Sequence, residues 1–290
     1  MAETRPAAGE EAVQWDSIIV SRRKLLDIRI RELIRYRDLV WLFIKRDFIT
    51  VYKQTILGPL WYIINPLFSA VTYMFIFGNL ARIGTDEIPP LLFYYSGTML
   101  WTYFSKCLTD VSNVFIDNAG LFGKVYFPRL TVPISRVFSN LITLLIQFAA
   151  LLCFYLWFII RGAPARPLLG VLALPLIFAW IALLSSGIGM VISALTTKYR
   201  DLKQLAGFGL SLAMYATPVV YPLSQAPEKY RPLFYLNPMS APVELFRLWF
   251  YGAGHAPAAM ILASASVTLA FFLFGLILFN RNERAFVDVI

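Results

Sequence analysis

Tyr52-Lys53-Gln54-Thr55-Ile56-Leu57-Gly58-Pro59-Leu60-Trp61 joins a basic lead-in to an apolar run with no linker between them. Proline in the first turn of a helix sacrifices no intrahelical donor, so Gly58-Pro59 marks a place where a helix can begin. Upstream, residues 24–50 interleave Ile30, Leu33, Ile34, Leu42 and Phe43 with Arg31, Arg35, Arg37, Lys45 and Arg46. At helical spacing this sets an apolar stripe beside a cationic one. That pattern fits a helix lying along a membrane surface, and equally a soluble helix packed on a partner protein. Asp38 is placed to cap the second half of the segment. Downstream, residues 57–81 are long enough to cross a bilayer, which takes about 20 apolar residues.

The rest of the chain repeats that second half. Of 290 residues, 59% are hydrophobic and 15% charged, with a mean hydropathy of +0.65, outside the range of ordinary soluble domains. Apolar stretches at 57–81, 91–116, 130–160, 168–195, 204–222 and 257–279 predict an all-α polytopic membrane protein of six spans. Polar residues interrupt the second and fifth. The net charge of +9 follows the same layout: 18 Lys/Arg fall in 1–56, 117–130, 196–204 and 280–290, against 6 in 82–91, 161–168 and 221–257. By the positive-inside rule the first group, and with it both termini, faces the cytoplasm. The basic pI therefore reflects topology and anionic headgroups rather than nucleic acid. The expected division is a disordered cytoplasmic tail at 1–23, an amphipathic interface helix region at 24–56 and a transmembrane domain at 57–290. No apolar h-region follows the first residues, so no cleavable signal is expected.

The connections are not plain turns. Asn118 to Arg129 is short but carries Leu121, Phe122, Val125, Tyr126 and Phe127, apolar groups that ask for a partner surface. A second, more polar elbow runs from Thr196 to Lys203. The longest connection, 222–256, is too aromatic for a free loop and too rich in proline for one span. It reads as two short external re-entrant helices, the second from about Pro242 to Tyr251, with Glu244 and Arg247 one turn apart. Pro66, Pro175 and Pro218 lie deeper in the spans, where the carbonyls they free must find neighbours or water.

The chemistry of a catalyst is missing. There is no phosphate loop, since Gly123-Lys124 continues with Val125, and the single histidine, His255, builds no triad or metal site. Cys107 and Cys153 both fall in spans, as small apolar packing residues. No cofactor is expected on this chain. Lys106 and Asp110 share a face of the second span at i,i+4; they either line a polar path or form a structural ion pair. The aromatics Trp61, Tyr62, Trp101 and Tyr103 fit an interfacial belt and packing, or the lining of a passage.

Arg46-Asp47, Tyr52-Lys53-Gln54-Thr55 and Leu57-Gly58-Pro59-Leu60-Trp61, taken together, resemble the start of the type-2 ABC exporter permeases for polysaccharides. Trp101-Thr102-Tyr103-Phe104, Lys124-Val125-Tyr126-Phe127-Pro128-Arg129, Tyr199-Arg200-Asp201-Leu202 and Asn237-Pro238-Met239 leading to Glu244 and Arg247 resemble later landmarks of that family in the same order. The resemblance runs from about residue 30 to the end. It implies a homodimer in the bacterial inner membrane, paired with two copies of a cytoplasmic subunit that binds ATP and Mg. The substrate it implies is a lipid-linked polysaccharide, of O-antigen, capsule or teichoic acid type, moved outward. Carried over by position, Leu121, Phe122, Gly123, Lys124, Val125 and Tyr126 would couple to the ATPase, and Asn237, Pro238, Glu244 and Arg247 would belong to external gate helices. Arg46 and Lys53 would sit at the cytoplasmic mouth, on the carrier's pyrophosphate or on ordinary phospholipid. Trp61, Tyr62, Trp101 and Tyr103, with Lys106 and Asp110, would line the passage. An exporter of drugs or small lipids, or a membrane enzyme acting on lipid-linked sugars, is the alternative.

Overall fold

A computed structural model of the chain describes residues 30–53, 56–122, 127–162, 169–196, 198–199 and 201–285. The tail expected at 1–23 and the loop residues Gly123, Lys124, Val125 and Tyr126 lie outside the described residues. Regular structure among the described residues is helical throughout, as the periodicity predicts.

Two helices, α1 (Ile30–Arg35) and α2 (Arg37–Tyr52), meet at Tyr36. Tyr36, not Asp38, occupies the cap position, and Asp38 falls inside the first turn, where it complements the helix dipole. After a single turn at Gly58–Leu60 the chain enters α3 (Trp61–Tyr73), which widens into a π-helix over Met74–Leu80. The next helix, α4 (Pro90–Ser112), is followed by two short turns of helix, α5 (Val114–Asp117) and α6 (Ala119–Phe122). Two long helices come next, α7 (Thr131–Ile160) and α8 (Leu174–Thr196), then α9 (Leu202–Tyr215). The short α10 (Arg231–Leu236) and α11 (Ser240–Tyr251) precede the last long helix, α12 (Ala258–Ala285).

Four stretches among the described residues are long and apolar enough to cross a membrane: Gly58–Leu80, Thr131–Ile160, Gly170–Thr196 and Ala258–Arg281. They match the expected first, third, fourth and sixth spans, and the chain is a multi-pass membrane protein. The expected second and fifth spans differ. At 23 residues, α4 is about 34 Å long, enough to cross, but its neighbours bury most of it, so its polar residues need not face lipid. The fifth stops at Tyr215 after 14 residues, about 21 Å, short of a hydrocarbon core of roughly 30 Å, and 216–222 continues as turns. Pro175 sits in the first turn of α8 and Pro218 beyond the end of α9, so of the three prolines only Pro66 interrupts a helix.

One core joins α4, α7, α8 and α11 through Tyr94, Tyr95, Leu144, Leu151, Ile181 and Phe246. Close approach of α8 to α12 depends on Gly187, where a Cβ would lie 2.6 Å from the backbone nitrogen of Phe272. A second core sits at the end of the molecule that carries Lys45, Arg46 and Arg281, here called the basic end. It joins Phe43, Phe115, Phe127, Met190 and Phe279.

Candidate functional site

Most of the surface of α3 faces away from the rest of the subunit, and its exposed face has a regular composition. Trp61, Asn65, Phe68, Thr72, Phe75 and Asn79 follow at one-turn steps and all are exposed. Aromatic and polar groups alternate along this ladder, with aromatics about 10 Å apart. Thr72 donates to the Phe68 carbonyl, 2.8 Å, but the amides of Asn65 and Asn79 have no partner among the described residues. An unpaired amide in hydrocarbon is costly, so this face meets water, a polar ligand or another chain rather than lipid tails. The neighbouring α4 shows a shorter polar stripe toward its basic end: Thr102 and Ser105 half-buried, Lys106 and Thr109 exposed. Polar residues seven apart at Asn65, Thr72 and Asn79, and three and four apart at Thr102, Ser105 and Thr109, were present in the sequence, and attention to charge and aromatics alone passes over them.

The residues expected to line a passage divide. Trp61 is 41% exposed and belongs to the ladder. Tyr62 is half-buried, with the Lys106 Nζ 5.8 Å from its ring centroid. Trp101 and Tyr103, however, are buried in the subunit's own core, Trp101 tilted against Phe104 at 5.2 Å, so they do not reach the exposed face. Lys106 and Asp110 form no ion pair with each other among the described residues. Asp110 Oδ2 instead accepts from Asn140 Nδ2 at 2.8 Å. That bond is part of a polar ridge on α7, Arg136, Asn140, Thr143 and Gln147, whose members turn toward α2, α4 and α3 in succession. Arg136 Nη1 meets Asp47 Oδ2 at 2.8 Å, and Asp47 Oδ1 accepts from Arg46 Nη2 at 2.9 Å. Gln147 Nε2 donates to the Tyr62 carbonyl at 3.0 Å. That carbonyl is the one Pro66, four residues on, leaves without an amide donor. Lys53 is exposed just past α2.

At the basic end, Leu121 and Phe122 are half-buried against the second core. A chain of rings runs from Phe43 to Phe127 at 6.1 Å, to Phe122 at 5.6 Å, to Phe115 at 6.0 Å and to Phe279 at 4.7 Å. Of the apolar side chains of this loop that looked free in the sequence, Leu121, Phe122 and Phe127 thus pack against the second core, with ring partners for the two phenylalanines on α2 and α5. What the loop leaves open is Ile116, 44% exposed, with Asp117 and Gly120 beside it.

At the opposite end, Asn237, Pro238, Glu244 and Arg247 pin the short helices α10 and α11. Asn237 Nδ2 donates to the Ala216 carbonyl and to Thr217 Oγ1, both at 2.9 Å, and the Pro238 carbonyl accepts from Ser264. Arg247 and Glu244 are almost fully buried and paired at 2.9 Å. Arg247 also donates to the carbonyls of Pro218, 2.6 Å, and Val219, 2.9 Å, and lies over the Phe93 ring at 3.8 Å. The second Glu244 oxygen accepts from the backbone N–H of His255, 2.9 Å.

A family model described as the ABC-2 type transporter matches residues 38–251. The O-antigen export system permease protein RfbA of Klebsiella pneumoniae is 29% identical over 255 residues, spanning 87% of this chain and 95% of that one. A protein of the same name from Myxococcus xanthus is 26% identical over 264 residues, 90% and 98% of the two chains. The polysialic acid transport protein KpsM of Escherichia coli is 22% identical over 240 residues, 83% and 92%.

Proposed function

The chain belongs to the ABC-2 type transporter family, and from that membership we propose that it is the transmembrane subunit of an ATP-driven polysaccharide exporter. It is a transport permease and not an enzyme; ABC permeases work with a separate ATP-binding subunit. The observation that carries the choice of substrate is the α3 ladder. Flat rings at Trp61, Phe68 and Phe75 alternate with hydrogen-bonding groups at Asn65, Thr72 and Asn79. Aromatic faces take the apolar faces of sugar rings and amides take their hydroxyls. A repeat along the whole span suits a repeating polymer, whereas an apolar drug would have no use for unpaired amides. The relatives named for O-antigen export and polysialic acid transport support the same reading.

In this proposal two copies of the chain set their α3 faces about a shared path, with α4, and α9 extended by the turns at 216–222, completing six spans per copy and both termini in the cytoplasm. A lipid-linked glycan comes in at the basic end near Arg46 and Lys53 and leaves outward past α10 and α11. Two ATP-binding subunits, which hold ATP and Mg, dock on the α5–α6 loop through Ile116 and Gly120 and the neighbouring residues 123–126. Closure of those subunits pushes the ring chain from Phe122 to Phe43 and Phe279, so that α2, α5 and α12 move together.

The test is export in the native host. Loss of the gene is expected to leave lipid-linked glycan inside the cell. Asn65→Leu with Asn79→Leu, which keep size and remove the amides, are expected to reproduce that defect while the chain still co-purifies with its ATPase. Normal surface polymer in the double variant would remove the ladder from the mechanism, and normal surface polymer in the deletion strain would remove the function.

A further inference from the structure

The cations near the basic end are not equivalent. Arg46 commits Nε and Nη2 to Asp47 Oδ1, at 3.1 and 2.9 Å, and Arg136 takes the other oxygen at 2.8 Å. Both guanidinium groups are therefore partly neutralised by a carboxylate of the same chain. Lys106 is different. It is exposed, no carboxylate lies within 4.0 Å of it among the described residues, and the nearby carboxylate on its own helix, Asp110, is held by Asn140. Its ammonium group stands over the Tyr62 ring, which orients a cation without cancelling its charge.

Its depth narrows what it meets. Lys106 lies six residues from the end of α4, about 9 Å along the axis. It is level with Trp61 and Tyr62, the kind of aromatics that settle at headgroup level. The anion that a lipid brings to that depth is its phosphate. An ammonium with three rotatable donors accepts phosphate as a point charge, and the exposed Thr109 adds a hydroxyl on the same stripe, whereas the Ser105 hydroxyl is given to the Thr102 carbonyl at 3.2 Å.

We propose that Lys106, set over Tyr62 beside Thr109, is a binding residue for the phosphate ester of a lipid entering the passage, a second station beyond Arg46. The inference rests on the transport reading and adds to it the chemical group that is recognised and the residue that recognises it. Because Arg46 is already engaged by Asp47, Lys106 takes a larger share of phosphate binding than Arg46.

The test uses the full chain with its ATPase in lipid nanodiscs and radiolabelled undecaprenyl diphosphate as the probe. Lys106→Met is expected to weaken probe binding by about tenfold or more, Lys106→Arg by about threefold or less, and Arg46→Met less than Lys106→Met. Undecaprenol, which lacks phosphate, is expected to bind wild type and Lys106→Met equally weakly. Inorganic pyrophosphate is expected to compete only in wild type and the arginine variant. Equal probe binding by wild type and Lys106→Met overturns the proposal, as does displacement of the probe by an equimolar amount of phosphatidylglycerol, which would make the site an ordinary phospholipid contact. If wild type binds no probe while loss of the gene still blocks export, the phosphate station fails and the transport function stands.

Discussion

Two places in this subunit leave backbone carbonyls without a helical donor, at Pro66 within α3 and in the turns that follow α9, and the chain satisfies them by different means. Pro66 interrupts α3, and one neutral amide, Gln147 Nε2 from α7, takes the orphaned Tyr62 carbonyl. Pro218 follows the end of α9, and there a buried guanidinium, Arg247, takes two carbonyls while paired to Glu244 and stacked on Phe93. The approach is so close that a Cβ on Gly97 would lie 2.6 Å from the Val219 carbonyl oxygen. One repair is a single bond between a thinly packed span and its neighbour. The other is a network holding α11, the irregular segment 216–221 and α4 as one body. The contrast points to where a transporter of this build bends: at α3, where the exposed ladder lies, and not at the Arg247 clamp.

The largest effect should come from the clamp. Arg247→Ala leaves Glu244 buried with only the His255 N–H and frees two carbonyls, a loss of about 3–5 kcal/mol for one member of a buried pair. Unfolding of the purified chain by denaturant in detergent measures it. Replacing both partners, Arg247→Met with Glu244→Gln, should recover part of that loss, because no unpaired charge remains. If Arg247→Ala costs no more than the Gln147 change below, the clamp is not the stiffer repair and the comparison collapses.

A smaller effect belongs to Gln147→Leu. It removes the single donor to Tyr62 while leaving the Tyr95 hydroxyl bond intact, since that bond goes to the Gln147 backbone carbonyl. An unsatisfied buried acceptor costs about 1–3 kcal/mol. In the same denaturant titration the variant should fall between wild type and Arg247→Ala. Its transport should suffer more than its stability implies, because the lost bond sets the angle of the ladder.

Much of this architecture was legible in the sequence, and the gaps have a physical cause. Long apolar runs showed the spans that face lipid, and Gly58–Leu80 and Thr131–Ile160 fall within a residue of the expected bounds. A helix enclosed by other helices over most of its surface can carry Thr98 and Asp110 without offering them to lipid, so α4 reads as an interrupted span although most of it is buried. The need for a repair at Pro66 was also visible, since the missing N–H is a property of proline itself. Its partner was not, because what selects Gln147 is the carbonyl that lies opposite it after α3 and α7 have packed. The same holds for Trp101 and Tyr103. Their type suits a passage equally with a core, and only the rotation of α4 about its axis decides which they join.

The smallest effect is the one that isolates the logic of the weaker repair. Pro66→Ala returns an N–H to the helix, positioned to bond the Tyr62 carbonyl in the ordinary i→i−4 manner. Gln147 then has no orphan to satisfy, and Gln147→Leu combined with Pro66→Ala should cost about 1 kcal/mol less than on the native background, a coupling within the range seen for residues that share a partner. If the cost is the same on both backgrounds, Gln147 stabilises α7 for reasons unrelated to proline, and the two breaks are not comparable. If the coupling appears while export falls in Pro66→Ala alone, then the missing N–H within α3 is required in its own right. The amide of Gln147 would in that case be what makes a proline-broken, exposed span tolerable inside a membrane.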